Sequence, residues 1–128
     1  MREEIRRLRE KNKLEIEDSI RKIASVLKGK VERLSVFGSF ARKEHGLFSD
    51  LDILIVMKTD KPYLERIKEL YSIIAPHVSC DVDVICYTPD EFERLKDSPF
   101  LKRVLAEEVV IYEKGKGRSP KVDNTGTD

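Results

Sequence analysis

The chain has 128 residues, 40% apolar and 38% charged, which suits one folded domain with its own core rather than two. Its 25 basic and 24 acidic residues nearly cancel, so the overall charge gives no reason to expect duplex DNA binding. The longest apolar runs are only as long as strands, and the charged N-terminus lacks a signal-peptide apolar region. We therefore expect no membrane association and a cytoplasmic location.

The first part of the chain predicts one long helix. From Leu14 to Leu27 apolar residues recur at intervals of three and four, and Gly29 follows where a helix cap belongs. Residues 1–12 are almost all charged, so we expect them to extend this helix outward into solvent. Such a segment could also dock an acidic partner.

Strands and further helices alternate in the rest of the chain. We predict strands at residues 33–37, 51–57, 80–86 and 109–112, a helix over residues 62–76, and helices beginning at Thr88 and Ser98. From Gly115 onward apolar periodicity is lost, so we expect a single domain over residues 1–114 and a disordered tail over residues 115–128. The pattern indicates an α/β (α+β) fold with a small mixed sheet of about four strands and helices packed on it.

Acidic residues lie at the starts of two of these strands. Asp50 and Asp52 begin one strand, and Asp81 and Asp83 begin the next. The helix between these strands makes a β-α-β unit, whose strands are normally parallel in one sheet, so the two acidic ends should lie together. Because unpaired buried charge is costly and neighbouring carboxylates repel, this cluster indicates a cation site.

Gly38 and Ser39 are expected at the same edge of the sheet. The connection after residues 33–37 is too short for an easy parallel crossover, so this strand should run antiparallel to residues 51–57. Glycine lets a backbone approach a phosphate closely, and magnesium is commonly held by carboxylates together with substrate phosphates. Alone, Gly-Ser is usually a turn and Asp-x-Asp a solvated strand end. Their coincidence favours two-metal phosphoryl or nucleotidyl transfer.

These motifs resemble a known family. Gly38-Ser39, ten intervening residues and Asp50-Leu51-Asp52 are similar to the signature of the DNA polymerase β-like nucleotidyltransferase superfamily. The run Phe-Gly-Ser-Phe-Ala-Arg and the later Val-Asp-Val-Ile before Thr-Pro-Asp-Glu-Phe resemble its minimal nucleotidyltransferase branch. The resemblance covers roughly residues 14–113. One departure is Lys43, where these proteins often carry glycine.

The resemblance implies a polymerase β palm-like fold and a role for each motif residue. It places the triphosphate on Gly38 and Ser39, with Arg42 as a candidate phosphate or acceptor contact, and two Mg²⁺ ions on Asp50, Asp52 and Asp83. It also implies that the third acid helps to activate the attacking hydroxyl. Asp81 competes with Asp83 for that third position.

The same resemblance implies an activity and a partner. Small proteins of this branch are often antitoxins of a HEPN-domain ribonuclease toxin, and resemble enzymes that transfer AMP from ATP to a tyrosine hydroxyl of that toxin. We therefore expect ATP as substrate, a separate HEPN toxin as partner, and a possible homo- or hetero-oligomer. Two alternatives stay open. The chain could be a binding module that neutralises a partner by contact alone, or a nucleotidyltransferase with a small-molecule acceptor or a nucleic-acid end.

The cysteines and histidines predict no further chemistry. Cys80 and Cys86 lie about 20 Å apart if both belong to one strand, so we expect reduced, buried thiols rather than a disulfide. His45 is expected in an exposed loop and His77 at a helix end. Their separation, without matching cysteine spacing, argues against a zinc site.

Overall fold

The computed structural model describes residues 1–44 and 50–115. Its elements in chain order are α1 (Arg2–Leu27), β1 (Arg33–Phe37), β2 (Leu51–Val56), α2 (Tyr63–Ile74), a 3₁₀ turn (Ala75–His77), β3 (Val82–Tyr87), α3 (Pro89–Leu95), α4 (Pro99–Glu107) and β4 (Val109–Glu113). His45 and the predicted disordered tail, except Gly115, lie outside the described residues. The predicted α+β fold with a four-stranded mixed sheet is confirmed.

The four strands form one sheet in the order β3-β2-β1-β4. Strand β1 is antiparallel to both β2 and β4, whereas β2 and β3 are parallel and joined by α2. The antiparallel pairing predicted from the short connection and the parallel pairing predicted from the β-α-β unit are therefore confirmed. The first residues of β2 and β3 and the last residue of β1 consequently lie at the same edge of the sheet.

Helices cover both faces of the sheet. On one face, alternate β2 residues Leu51, Ile53 and Ile55 join a core cluster with buried residues of α1 and α2. On the other face, Leu54 packs with residues of α3 and α4. Burial on both sides explains why β2 is almost continuously apolar after its first two residues. Asp52 has the same parity as Leu54, so its side chain belongs to the α3–α4 face.

Two predicted boundaries are wrong. Pairing of β3 with β2 begins at Val82, so Cys80 precedes the strand and is half-buried, whereas Cys86 lies in it and is fully buried. Both thiols are free, and burial raises the pKa of the Cys86 thiol to about 11. Helix α2 ends at Ile74 because Pro76, in the 3₁₀ turn that follows, has no backbone N–H to continue the α-helical pattern.

Helix α1 begins at Arg2 and projects beyond the packed core. The buried residues of this helix begin at Ile16, and residues 1–11 are all exposed. None of the helices in residues 1–44 and 50–115 combines the length and apolar character needed to cross a bilayer.

Candidate active site

The turn after β1 lies directly against an acidic side chain. Phe37, the last residue of β1, is the register partner of Asp52 on β2. Gly38 follows with φ of +81°, and a β-carbon at this position would overlap the Asp52 carboxylate. Both the backbone conformation and the space therefore require glycine. The Arg42 amide donates to the Gly38 carbonyl at 3.0 Å, which closes the turn.

The predicted acids lie at the edge of the sheet where this turn lies. Asp52 and Asp83 are register partners on the parallel strands β2 and β3, so their side chains share a face. Asp50 lies two residues before Asp52 and is exposed, as is Asp83. Burial raises the pKa of Asp52, and the negative charges of Asp83 and Asp50 raise it further, partly offset by Arg42. The site therefore carries an excess of negative charge.

Register also bears on the identity of the third acid. Asp81 precedes β3, and its carbonyl accepts a hydrogen bond from the Leu51 amide at 2.9 Å. Asp83, not Asp81, is the residue opposite Asp52. The strand pairing thus favours Asp83 for the third position.

These carboxylates fit a hard divalent cation. Their donor atoms are all oxygens, and their mutual repulsion would be relieved by a positive ion. Within residues 1–44 and 50–115, no three acidic, histidine or cysteine side chains form a complete metal-binding group. Mg²⁺ is commonly held by one or two carboxylates with phosphate oxygens and water as the remaining ligands. The arrangement thus suits an ion that arrives with a nucleotide rather than one held by protein alone.

Glu107 connects the end of α4 to the turn. Its carboxylate accepts from the Gly38 amide at 2.7 Å and from Arg42 Nη1 at 3.0 Å. Burial opposes ionisation of Glu107, but the Gly38 amide and Arg42 together hold its pKa below the usual value. The carboxylates of Glu44 and Glu107 raise the pKa of Arg42. The sequence carries no signal for this contact, because Glu107 resembles any charged residue at a helix end.

Tyr71 holds the backbone on both sides of Asp83. Its hydroxyl donates to the Val82 carbonyl at 2.5 Å and accepts from the Val84 amide at 3.2 Å. These groups belong to the edge of β3 that does not pair with β2, so Tyr71 also covers an unpaired strand edge. In the sequence, Tyr71 is only one member of the apolar stripe of α2, and its hydroxyl contacts could not be predicted.

A cavity of about 440 Å³ lies beside the acids at the start of β3. Acidic residues line it together with apolar and aromatic ones, among them Asp50, Asp81, Asp83, Tyr71, Ile74 and Val78. A partly apolar space therefore lies beside β3, on the side of the sheet remote from β1.

Lys43 adopts a left-handed backbone conformation with φ of +62°. This is the position where the resembled family often carries glycine. The loop thus keeps the conformation that glycine favours, at a cost of roughly 1–2 kcal/mol for a residue with a β-carbon.

Comparisons with known proteins identify the family of this chain. A family model described as a nucleotidyltransferase domain matches residues 17–112. A candidate protein adenylyltransferase of Methanocaldococcus jannaschii is 30% identical over 98 residues, which are 75% of this chain and 93% of the relative. A second from the same organism is 36% identical over 75 residues, which are 58% of this chain and 80% of that relative.

Solved structures share the fold. A candidate nucleotidyltransferase from Sulfolobus solfataricus aligns with 86% of this chain and 87% of its own, with a TM-score of 0.52 and 22% identity. A chain of the toxin–antitoxin structure MntA–HpeT aligns with 78% of this chain and 74% of its own, with a TM-score of 0.53 and 20% identity. A toxin–antitoxin structure with AMP-PNP gives the same TM-score and identity.

Proposed function

Because this chain belongs to the nucleotidyltransferase domain family, we propose that it transfers AMP from ATP to a hydroxyl group of a partner protein, with Mg²⁺ as the metal. The family and the enzyme class expected from the motifs are confirmed by the family model and the relatives. The relatives named as candidate protein adenylyltransferases, the first covered over 93% of its length, support a protein as the acceptor.

The observation that carries the proposal is the strand register. It brings Asp52 opposite Asp83, while the Gly38 turn lies against the Asp52 carboxylate. In this proposal Gly38 and Ser39 bind the triphosphate, and Arg42 exchanges its contacts with Glu44 and Glu107 for phosphate oxygens.

In the same proposal, the three aspartates bind the metal ions and one of them accepts the proton. Asp50, Asp52 and Asp83 would hold two Mg²⁺ ions, which when bound would neutralise phosphate charge and lower the pKa of the attacking hydroxyl. Asp83 lies next to the cavity and would orient that hydroxyl and accept its proton. The hydroxyl oxygen forms a bond to the α-phosphorus of ATP. The bond between the α-phosphorus and the oxygen that bridges it to the β-phosphorus breaks, and pyrophosphate leaves.

The cavity supports tyrosine as the acceptor side chain. Val78 offers apolar surface for an aromatic ring, and Asp83 lines the same cavity. The fold shared with toxin–antitoxin structures, one of them with AMP-PNP, supports an antitoxin role and a nucleotide substrate. We propose a HEPN-domain toxin as the protein that carries this tyrosine.

Mass spectrometry of the toxin tests the proposal. The chain is incubated with ATP, Mg²⁺ and the product of its neighbouring gene as the candidate toxin, and that protein is searched for added adenylyl groups. We expect modification of a tyrosine, its loss with Asp52→Asn, and no effect of Asp60→Asn, an exposed acid between β2 and α2. Absence of modification would contradict the proposal. An Asp52→Asn variant that still protects cells from the toxin would favour neutralisation by contact alone.

A further inference from the structure

The apolar face of α1 continues past the domain. The buried residues of this helix, among them Ile16 and Ile23, lie on one face. Steps of three and four residues from Ile16 lead back through the polar Asn12 to Leu8, Ile5 and Met1 on the same face. Leu8 is 53% exposed, Ile5 36% and Met1 93%. Beyond Asn12, these three apolar side chains form an exposed stripe in line with the buried face of the helix.

This projecting segment, residues 1–13, lies outside the region shared with the family. The family model begins at residue 17. At 1.5 Å per residue the segment extends about 20 Å, or between three and four helical turns. An exposed apolar stripe on such an addition is typical of a surface that a partner covers.

Charge identifies the kind of partner. Residues 2–13 carry six basic and three acidic side chains, a net charge of +3, whereas the rest of the chain has 19 basic and 21 acidic residues, a net charge of −2. Two copies of the segment side by side would repel each other, while a helix with acidic flanks would be attracted.

We propose that residues 1–13 dock an amphipathic helix of another protein, with an apolar stripe flanked by aspartate or glutamate. Met1, Ile5 and Leu8 would pack against that stripe at the spacing used by paired helices. The basic side chains beside them would pair with the partner's carboxylates. This docking uses none of the residues of the candidate active site and does not depend on AMP transfer.

Two synthetic peptides test the proposal. Each has three heptads with leucine at the a and d positions, and the e and g positions are all glutamate in one and all lysine in the other. Binding of the fluorescently labelled peptides to the full chain is followed by anisotropy at low salt. We expect the acidic peptide to bind at least about tenfold more tightly than the basic one, and salt to weaken its binding.

Paired variants locate the surface. We expect the double variant Ile5→Gln with Leu8→Gln to weaken binding of the acidic peptide by about tenfold or more, because both anchors are lost. The control is Leu14→Gln, which is 56% exposed but lies on the opposite side of the helix, and it should bind like the wild type. Circular dichroism checks that all three chains keep the same helix content.

Three results would overturn the proposal. One is failure of the acidic peptide to bind better than the basic peptide. Another is equal loss of binding in the Leu14→Gln control. The third is self-association in sedimentation equilibrium that the Ile5→Gln, Leu8→Gln variant abolishes, since it would assign the stripe to a second copy of the chain. Because no nucleotide takes part, these results stand whether or not AMP transfer is observed.

Discussion

Replacing Gly38 by alanine should disable the site through one added carbon atom. The φ of +81° costs a residue with a β-carbon about 1–2 kcal/mol, and the new carbon would overlap the Asp52 carboxylate. Relief of such an overlap typically costs a further 1–3 kcal/mol, so we expect the free energy of unfolding to fall by about 2–5 kcal/mol. Displacement of the carboxylate by about 1 Å should lower the rate of AMP transfer by about a hundredfold.

Gly29 provides the matched control. Its φ is +85°, and a β-carbon there would meet nothing within 4 Å. Gly29→Ala should therefore lose only about 1–2 kcal/mol from the backbone conformation and keep wild-type activity. Urea unfolding measures the stability of both variants, and AMP transfer to the toxin measures their activity. If Gly38→Ala matched Gly29→Ala in both measurements, the close approach of the turn to Asp52 would matter for neither stability nor activity, and the reasoning would be refuted.

Three other substitutions test the surroundings of the site. Glu107→Ala should raise the KM for ATP by about tenfold with little change in kcat, because it releases the turn and Arg42 rather than the metal ligands; steady-state kinetics with an unchanged KM would contradict this. Tyr71→Phe should lower the free energy of unfolding by about 1–3 kcal/mol, because two backbone groups of β3 lose their partner; equal stability in urea would refute the contact. Arg66 forms an ion pair with Glu91 at 2.8 Å and donates two hydrogen bonds to it. Arg66 and then the Thr88 amide lower the pKa of Glu91 to about 2 from 4.5, so stability present above pH 4.5 should be lost as the pH falls towards 2. Unfolding of Glu91→Gln should depend less on pH over that range, and an identical profile would exclude this ion pair as the cause.

The sheet edge that carries the site could be predicted because its information is local in the sequence. Short connections and the β-α-β rule fix the directions of β1, β2 and β3. The acids lie at strand starts that the runs of apolar residues in the sequence reveal. From those directions the meeting of Asp52, Asp83 and Gly38 at one edge follows without coordinates. The capping box of Thr88 and Glu91 is likewise local, because its two residues are three positions apart in the sequence.

The contacts that hold the site in place could not be predicted. Gly38 and Glu107 are 69 residues apart, and the hydrogen bond between them depends on how α4 is placed against the sheet. Tyr71 fits the apolar stripe of α2, and only the structure shows that its hydroxyl reaches the unpaired edge of β3. Such contacts arise from tertiary packing, and a single sequence gives no periodic signal for them.

Nucleotide binding to acid variants tests the central claim most directly. Calorimetric titration with AMP-PNP, with and without Mg²⁺, compares the wild type with Asp52→Asn, Asp83→Asn and the control Asp60→Asn. If Asp52 and Asp83 jointly serve a metal-bound triphosphate, the wild type and Asp60→Asn should bind in a Mg²⁺-dependent manner. Asp52→Asn and Asp83→Asn should each lose at least about tenfold in affinity. Binding by Asp83→Asn that equals the wild type in Mg²⁺ would contradict a shared metal site on β2 and β3.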